Sequence, residues 1–100
     1  MSRISMKADH GLGKDEAQRR LKERLRIARA AHGSKAIDLH EEWSDGTLSF
    51  DFTTMGTRVT GMMVVRDGEV RLAADVPFRV AIFKRLIEKR IRAELGNLLA

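Results

Sequence analysis

Cysteine is absent from this 100-residue chain, proline occurs once, and aromatic residues make up 5%. Without cysteine there is no disulfide, no thiol nucleophile and no thiolate metal site, which fits a reducing compartment and gives a cytoplasmic expectation. No apolar stretch approaches the ~18 residues that a membrane-spanning helix needs. The opening residues, Met1 to Lys7, lack the apolar core of a secretory signal. Repeats, low-complexity tracts and interdomain linkers are also missing, so residues 1–100 read as a single domain. A chain of this length buries roughly 60–65% of its unfolded surface. A ligand cavity of the usual ~300–1,000 Å³ would compete with the core for the same side chains.

What the chain does have is alternation. Ile37, Leu39 and Trp43 are followed by Leu48, Phe50 and Phe52, then Val59, Met63 and Val65, then Val70, Leu72, Ala74 and Val76. Successive side chains of a strand point to opposite faces, so each run has one apolar face. Asp45-Gly46, Met55-Gly56 and Asp67-Gly68 separate the runs and read as two-residue hairpin turns. In that register Trp43 faces Leu48, Leu39 faces Phe52, Phe52 faces Val59, and Val65 faces Val70. A slip of one residue would reverse a strand, so the agreement supports a four-stranded meander.

Residues 2–7 read as a first strand that pairs with the last. A helix is expected from about Asp15 to Ala31, ending at Gly33, with Ala17, Leu21, Leu25 and Ala28 on its buried stripe. The meander runs from about Ala36 to Val76, where Pro77 ends it. A second helix is expected from about Phe78 to Leu95 or beyond. The fold class is α+β, in the order β-α-β-β-β-β-α, with both helices covering the one apolar face of an antiparallel sheet. The expected core is Leu21, Leu25, Trp43, Leu48, Phe50, Phe52, Val65, Leu72, Phe83 and Ile87.

Charge is unevenly divided. Residues 14–35 carry eight Lys or Arg against three acids, residues 78–96 six against two, and residues 36–77 three against eight. The helices are therefore basic and the meander acidic. Arg19, Lys22, Arg26 and Arg29 are placed on the outer surface of the first helix, and Lys84, Arg85, Lys89 and Arg92 on that of the second. These eight are the candidate partner-binding residues, since a basic layer attracts nucleic acid, acidic headgroups or an acidic protein. The competing reading is a solvated face laced by i,i+4 pairs: Asp15/Arg19, Glu16/Arg20, Lys84/Glu88 and Glu88/Arg92. Nucleic acid is the weaker partner expectation. No recognised motif is present, and Trp43, Phe50, Phe52 and Phe83 fall on core phases rather than forming a stacking platform.

The polar sheet face aligns His40 with Asp51, Asp51 with Thr60, and Thr60 with Asp75. Cross-strand polar pairing explains this row better than catalysis, because an open face excludes no water. No catalytic residue, cofactor or metal is assigned, and no enzyme activity is expected. His10, His32 and His40 lack ligand spacing. Gly11-Leu12-Gly13 lacks the rest of a phosphate loop and is read as the turn into the first helix, with His10 hydrogen-bonding there. Gly61 falls opposite Phe50 and leaves room for its ring. Glu41 has an inward phase, so either an arginine meets it, with Arg24 and Arg20 on the apolar arc of the first helix, or a bulge turns it outward. Met62, Val64 and Ala73 form an apolar patch on the polar face. With the wide apolar arc of the second helix, it is a candidate homodimer surface.

The sequence resembles the bacterial family of polyhydroxyalkanoic acid system proteins. The specific elements are His10-x-Leu12-Gly13 and Trp43 with Gly46-x-Leu48-x-Phe50. Ile4, Ala17, Gly56, Gly61, Val70-x-Leu72, Pro77, Phe83-Lys84 and Ile87-Glu88 extend the match nearly end to end. The resemblance implies a cytosolic protein linked to polyhydroxyalkanoate granules or their metabolism, and brings no catalytic residues. The element order also resembles a shortened helix-grip fold, whose larger relatives hold lipids. The expected function is a small non-enzymatic accessory protein that interacts, through its basic helical surface, with a granule surface or an acidic protein or lipid. The alternatives are a carrier of a hydrophobic acyl-type ligand between helices and sheet, or a nucleic-acid-binding protein.

Overall fold

A computed structural model gives the structure of residues 2–32, 37–54, 56–77 and 81–100, without the side chains of His32, Ile37 and Thr54. The elements are β1 (Ser2–Asp9), α1 (Lys14–His32), β2 (Ile37–Ser44), β3 (Thr47–Thr54), β4 (Thr57–Arg66), β5 (Glu69–Val76) and α2 (Lys84–Leu98). The strands form one antiparallel sheet in the order β1-β5-β4-β3-β2. The fold is α+β with both helices on one face, as the sequence pattern predicts. Gly33, Ala36, Met55 and Phe78, expected at element boundaries, lie outside the described residues.

Turn chemistry sets the register. Asp45 and Gly46 both have positive φ, 44° and 80°, which matches a type I′ hairpin to the right-handed twist of its strands. The Val65 amide donates to the Gly46 carbonyl at 2.8 Å and ties this turn to β4. Trp43 pairs with Leu48, Phe50 with Gly61, Phe52 with Val59, and Val65 with Val70. The register departs from expectation at Leu39. Ile37 pairs with Thr53 and His40 with Asp51, so Asp38 and Leu39 together oppose Phe52 in a bulge. Asp38 sits there at φ 53°, a conformation that Asp tolerates better than bulky residues do.

The core lies between the sheet centre and the helices. Ala8, Leu48, Met63, Val65 and Val70 from the sheet pack with Ala17 and Leu21 of α1 and with Leu95 and Leu99 at the end of α2. Each such Leu or Val stabilises the fold by ~1.5–3 kcal/mol relative to an exposed position. Of the expected core, Leu21, Leu48 and Val65 are buried, while Trp43, Phe50, Phe52, Leu72, Leu25 and Ile87 are half-buried. Phe83 is 55% exposed, against expectation. The helices account for both outcomes. Leu21 and Leu95 share the core cluster, and beside it an apolar cleft lined by both helices leaves part of the inner sheet face uncovered. Regular α2 structure begins at Lys84, and Phe83 lies off the phase of its buried residues.

Candidate functional site

The outer sheet face is laced by ion pairs. Arg3 reaches Asp75 at 3.3 Å, Lys7 reaches Asp9 and Glu69 at 3.4 Å each, and Arg71 reaches Glu69 at 3.2 Å. These partners hold the Glu69 carboxyl below its ordinary range, Arg71 most strongly. His40, Asp51, Thr60 and Asp75 do align across the strands. The His40 Nδ1 lies 3.1 Å from Asp51, and Arg58 holds the same carboxylate while donating to Thr53 Oγ1 at 3.0 Å. Asp51 is therefore neutralised by a guanidinium on an open surface. Met62 is exposed beside Ala73 on this face, with Val64 half-buried.

The His10-x-Leu12-Gly13 segment is a brace. The His10 Nδ1 accepts the Leu12 amide at 3.0 Å, and the buried Nε2 has no hydrogen-bond partner among the described residues. The His10 amide donates to the Gly68 carbonyl at 2.9 Å, and the Gly68 amide returns a bond to Leu12 at 3.1 Å. Asp67 then accepts the Lys14 amide at 2.6 Å and supplies a distant cap for α1. Lys14 Nζ reaches Asp45 at 2.8 Å, which raises the lysine pKa and lowers that of the aspartate. One loop thus pins two hairpin turns and the helix start together. His10 and His40 belong to this loop and to the outer face respectively, and the His32 side chain lies outside the described residues.

The eight basic candidates fall into two groups. On α1, Arg19 is held by Glu16 at 2.5 Å and Arg26 by Glu23 at 2.6 Å. Of the four i,i+4 pairs expected, Glu16–Arg20 forms at 3.0 Å, Arg19 turns to Glu16 at i,i+3 spacing instead of Asp15, and neither pair through Glu88 forms among the described residues. Arg19 and then Arg20 hold the Glu16 carboxyl down to about 2. Lys22 and Arg29 are exposed, in keeping with their outer placement, and both reach toward β2. The Lys22 ammonium lies 5.2 Å from the Trp43 ring centroid, and Arg29 bonds the Glu41 carboxylate at 2.9 Å. Glu41, 14% exposed at its side chain, does meet an arginine, though not Arg24 or Arg20. On α2, Arg85, Lys89 and Arg92 are exposed and Lys84 is half-buried, contrary to its outer placement. Among the described residues none of these four has an ion-pair partner. Beside them Ile82, Phe83 and Leu86 are 79%, 55% and 65% exposed.

Between the helices and the sheet lies an apolar cleft of about 560 Å³. Leu25 and Ala28 form one wall, Ile91 the other, and Phe50, Phe52 and Leu72 the floor. The Phe50 and Phe52 rings stack with centroids 6.3 Å apart. Arg24, Arg29 and Arg90 line it together with Glu41 and Glu94. Arg24 and Glu94 approach to 3.7 Å across the gap between helices. Arg90 and Glu94 were missed as site residues. Their helical spacing from Ile91, Leu95 and Leu98 marks them as flanking the inner stripe of α2, but only the packing of the helices on the sheet makes that flank a cleft wall.

These features define a small α+β protein with an ion-paired open sheet face and a helical layer that leaves an apolar cleft beneath it. The sequence model of the family described as "Putative polyhydroxyalkanoic acid system protein" matches residues 4–99, and the chain belongs to that family. No curated protein and no solved structure matches the chain. Among the described residues no helix is long and apolar enough to cross a membrane.

Proposed function

We propose that the protein is a non-enzymatic accessory component of a polyhydroxyalkanoate system that docks on an acidic, partly apolar surface through its helical layer. The family description supports the setting. The observation that carries the mode of action is the start of α2, where Arg85 and Lys89 have no acid partner among the described residues and lie beside exposed Ile82, Phe83 and Leu86. Cations flanking exposed apolar side chains suit an interface with anionic headgroups over a hydrophobic interior. Arg92 extends this surface and Lys84 borders it. The α1 candidates contribute less, since Arg19, Arg26 and Arg29 are paired with acids and Lys22 lies against the Trp43 ring. The non-enzymatic reading rests on Asp51 being held by Arg58, with His40 open to water.

Co-sedimentation with isolated granules and with anionic phospholipid vesicles tests the docking. Arg85→Glu with Lys89→Glu is expected to abolish it, while Arg19→Glu with Arg26→Glu weakens it less. Undiminished binding by the α2 variant would defeat the proposal. A second reading, a carrier of a hydrophobic acyl-type ligand, is favoured by the apolar cleft of about 560 Å³, a volume within the range of small-molecule sites.

A further inference from the structure

We infer that the cleft between α1 and α2 binds the carboxylate form of a medium-chain fatty acid, with the acyl chain over Phe50, Phe52 and Leu72 and the carboxylate held by Arg24 and Arg90. The inference rests on the carrier reading and adds to it the ligand class and the headgroup residues. It is independent of docking through Arg85 and Lys89.

Three guanidinium groups and two carboxylates line the cleft. Arg29 and Glu41 satisfy one another at 2.9 Å and leave no charge over. Glu94 approaches Arg24 only to 3.7 Å, beyond ordinary hydrogen-bond distance. Arg90 has no ion-pair partner among the described residues. The lining therefore carries one uncompensated positive charge, drawn from two arginines on facing helices. A single carboxylate supplies one negative charge, and its planar oxygens match the guanidinium fork. A cationic head would meet this excess unfavourably, and a neutral head would leave it uncompensated.

The apolar part argues for a flexible chain. Leu25, Ala28, Ile91, Phe50, Phe52 and Leu72 offer an apolar lining without a hydrogen-bonding side chain among them. Each methylene transferred there from water contributes ~0.8 kcal/mol, so affinity should rise with chain length until the cleft is full. The half-buried state of Phe50 and Phe52 follows from the same uncovered floor. An acyl chain would bury the surface that the helices leave exposed.

Calorimetric titration of the intact protein with decanoate, decanol, decyltrimethylammonium and acetate tests the assignment. Decanoate is expected to bind saturably, decanol about tenfold more weakly, and the other two without measurable affinity. Arg90→Gln and Arg24→Gln should each weaken decanoate by about tenfold and leave decanol unchanged. Arg85→Gln, on the docking surface, should alter neither. Ala28→Trp, which fills the cleft from its wall, should abolish binding of both chains while circular dichroism reports an unchanged fold. If Ala28→Trp unfolds the protein, chemical-shift changes of Phe50, Phe52 and Leu72 on decanoate addition to the unmodified chain take its place. Equal affinity for decanoate and decanol, indifferent to both arginines, would overturn the carboxylate assignment and leave the carrier reading standing. No saturable binding of either, or shift changes confined to α2 outside the cleft, would overturn both.

Discussion

Gly61 shows how much a single position can carry. It sits opposite Phe50, and a Cβ built on it would strike that ring and stand 2.9 Å from the Ala73 carbonyl oxygen. The Phe50 ring can move, because the cleft beside it is open, but the β5 backbone cannot. Gly61→Ala should therefore destabilise the fold by about 1–3 kcal/mol, the range for overpacking, measured by denaturant unfolding. A neutral result would mean that β4 and β5 separate more easily than their continuous register implies. This contact was legible in the sequence because the period of a strand is fixed and three turns agreed on it. Glu41 was only half legible. Its inward phase demanded an arginine, yet the partner is Arg29, not Arg24 or Arg20. The two flanks of α1 look in different directions. Lys22 and Arg29 face β2, whereas Arg24 reaches Glu94 and Arg20 donates to the carbonyls of Leu98 at 3.3 Å and Ala100 at 3.0 Å. Spacing assigns a residue to a flank, but not the neighbour that the flank meets.

At the scale of an element, α2 is divided. Its C-terminal half presents Ile91, Leu95 and Leu98 to the core and cleft. Carried back toward the N-terminus by whole turns, that phase falls on Glu88 and Lys84, both half-buried, while Ile82 and Leu86 point away. A wide apolar arc in sequence is thus two arcs in space, and counting both as core is what misplaced Phe83. Leu95→Ala should cost ~2–4 kcal/mol, whereas Leu86→Gln should stay within ~0.5 kcal/mol of the parent. Equal losses in thermal unfolding would mean that Leu86 is covered in solution. On α1 the sensitive element is the Glu16 pairing. Its carboxyl lies at about 2 in the folded chain against an ordinary 4.5. A lowered acid contributes stability that is complete above pH 4.5 and is lost as pH falls toward about 2. Glu16→Gln should remove that part of the acid dependence, so the gap in melting temperature between parent and variant closes across this window. A constant gap would assign the role to packing instead of charge.

At the scale of the whole molecule, the two layers differ in sign. Residues 37–77 carry eight acids against three bases, whereas α1 carries seven bases against three acids and α2 five against two. This asymmetry was legible from composition once the meander was recognised, since the sheet's outer face must hold what its inner face excludes. Pairing was not legible, because it depends on side-chain reach: α1 spends its arginines on Glu16, Glu23 and Glu41, while Arg85, Lys89 and Arg92 of α2 remain open. The field that orients the protein should accordingly come from α2 more than from α1. Opposed potentials steer approach to an acidic surface and act chiefly on association rate. Binding to anionic vesicles should weaken as salt rises toward 0.15 M, where the Debye length is ~8 Å. The apolar contribution of Phe83 and Leu86 is not screened. A salt-resistant remainder should therefore persist, and Phe83→Ser with Leu86→Ser should remove it. Changing Glu42 and Asp51 to Lys, on the outer sheet face, should do much less than reversing Arg85 and Lys89. If the sheet-face variant alone alters capture, the orientation is reversed, and Met62 with Ala73 becomes the apolar contact that meets the partner.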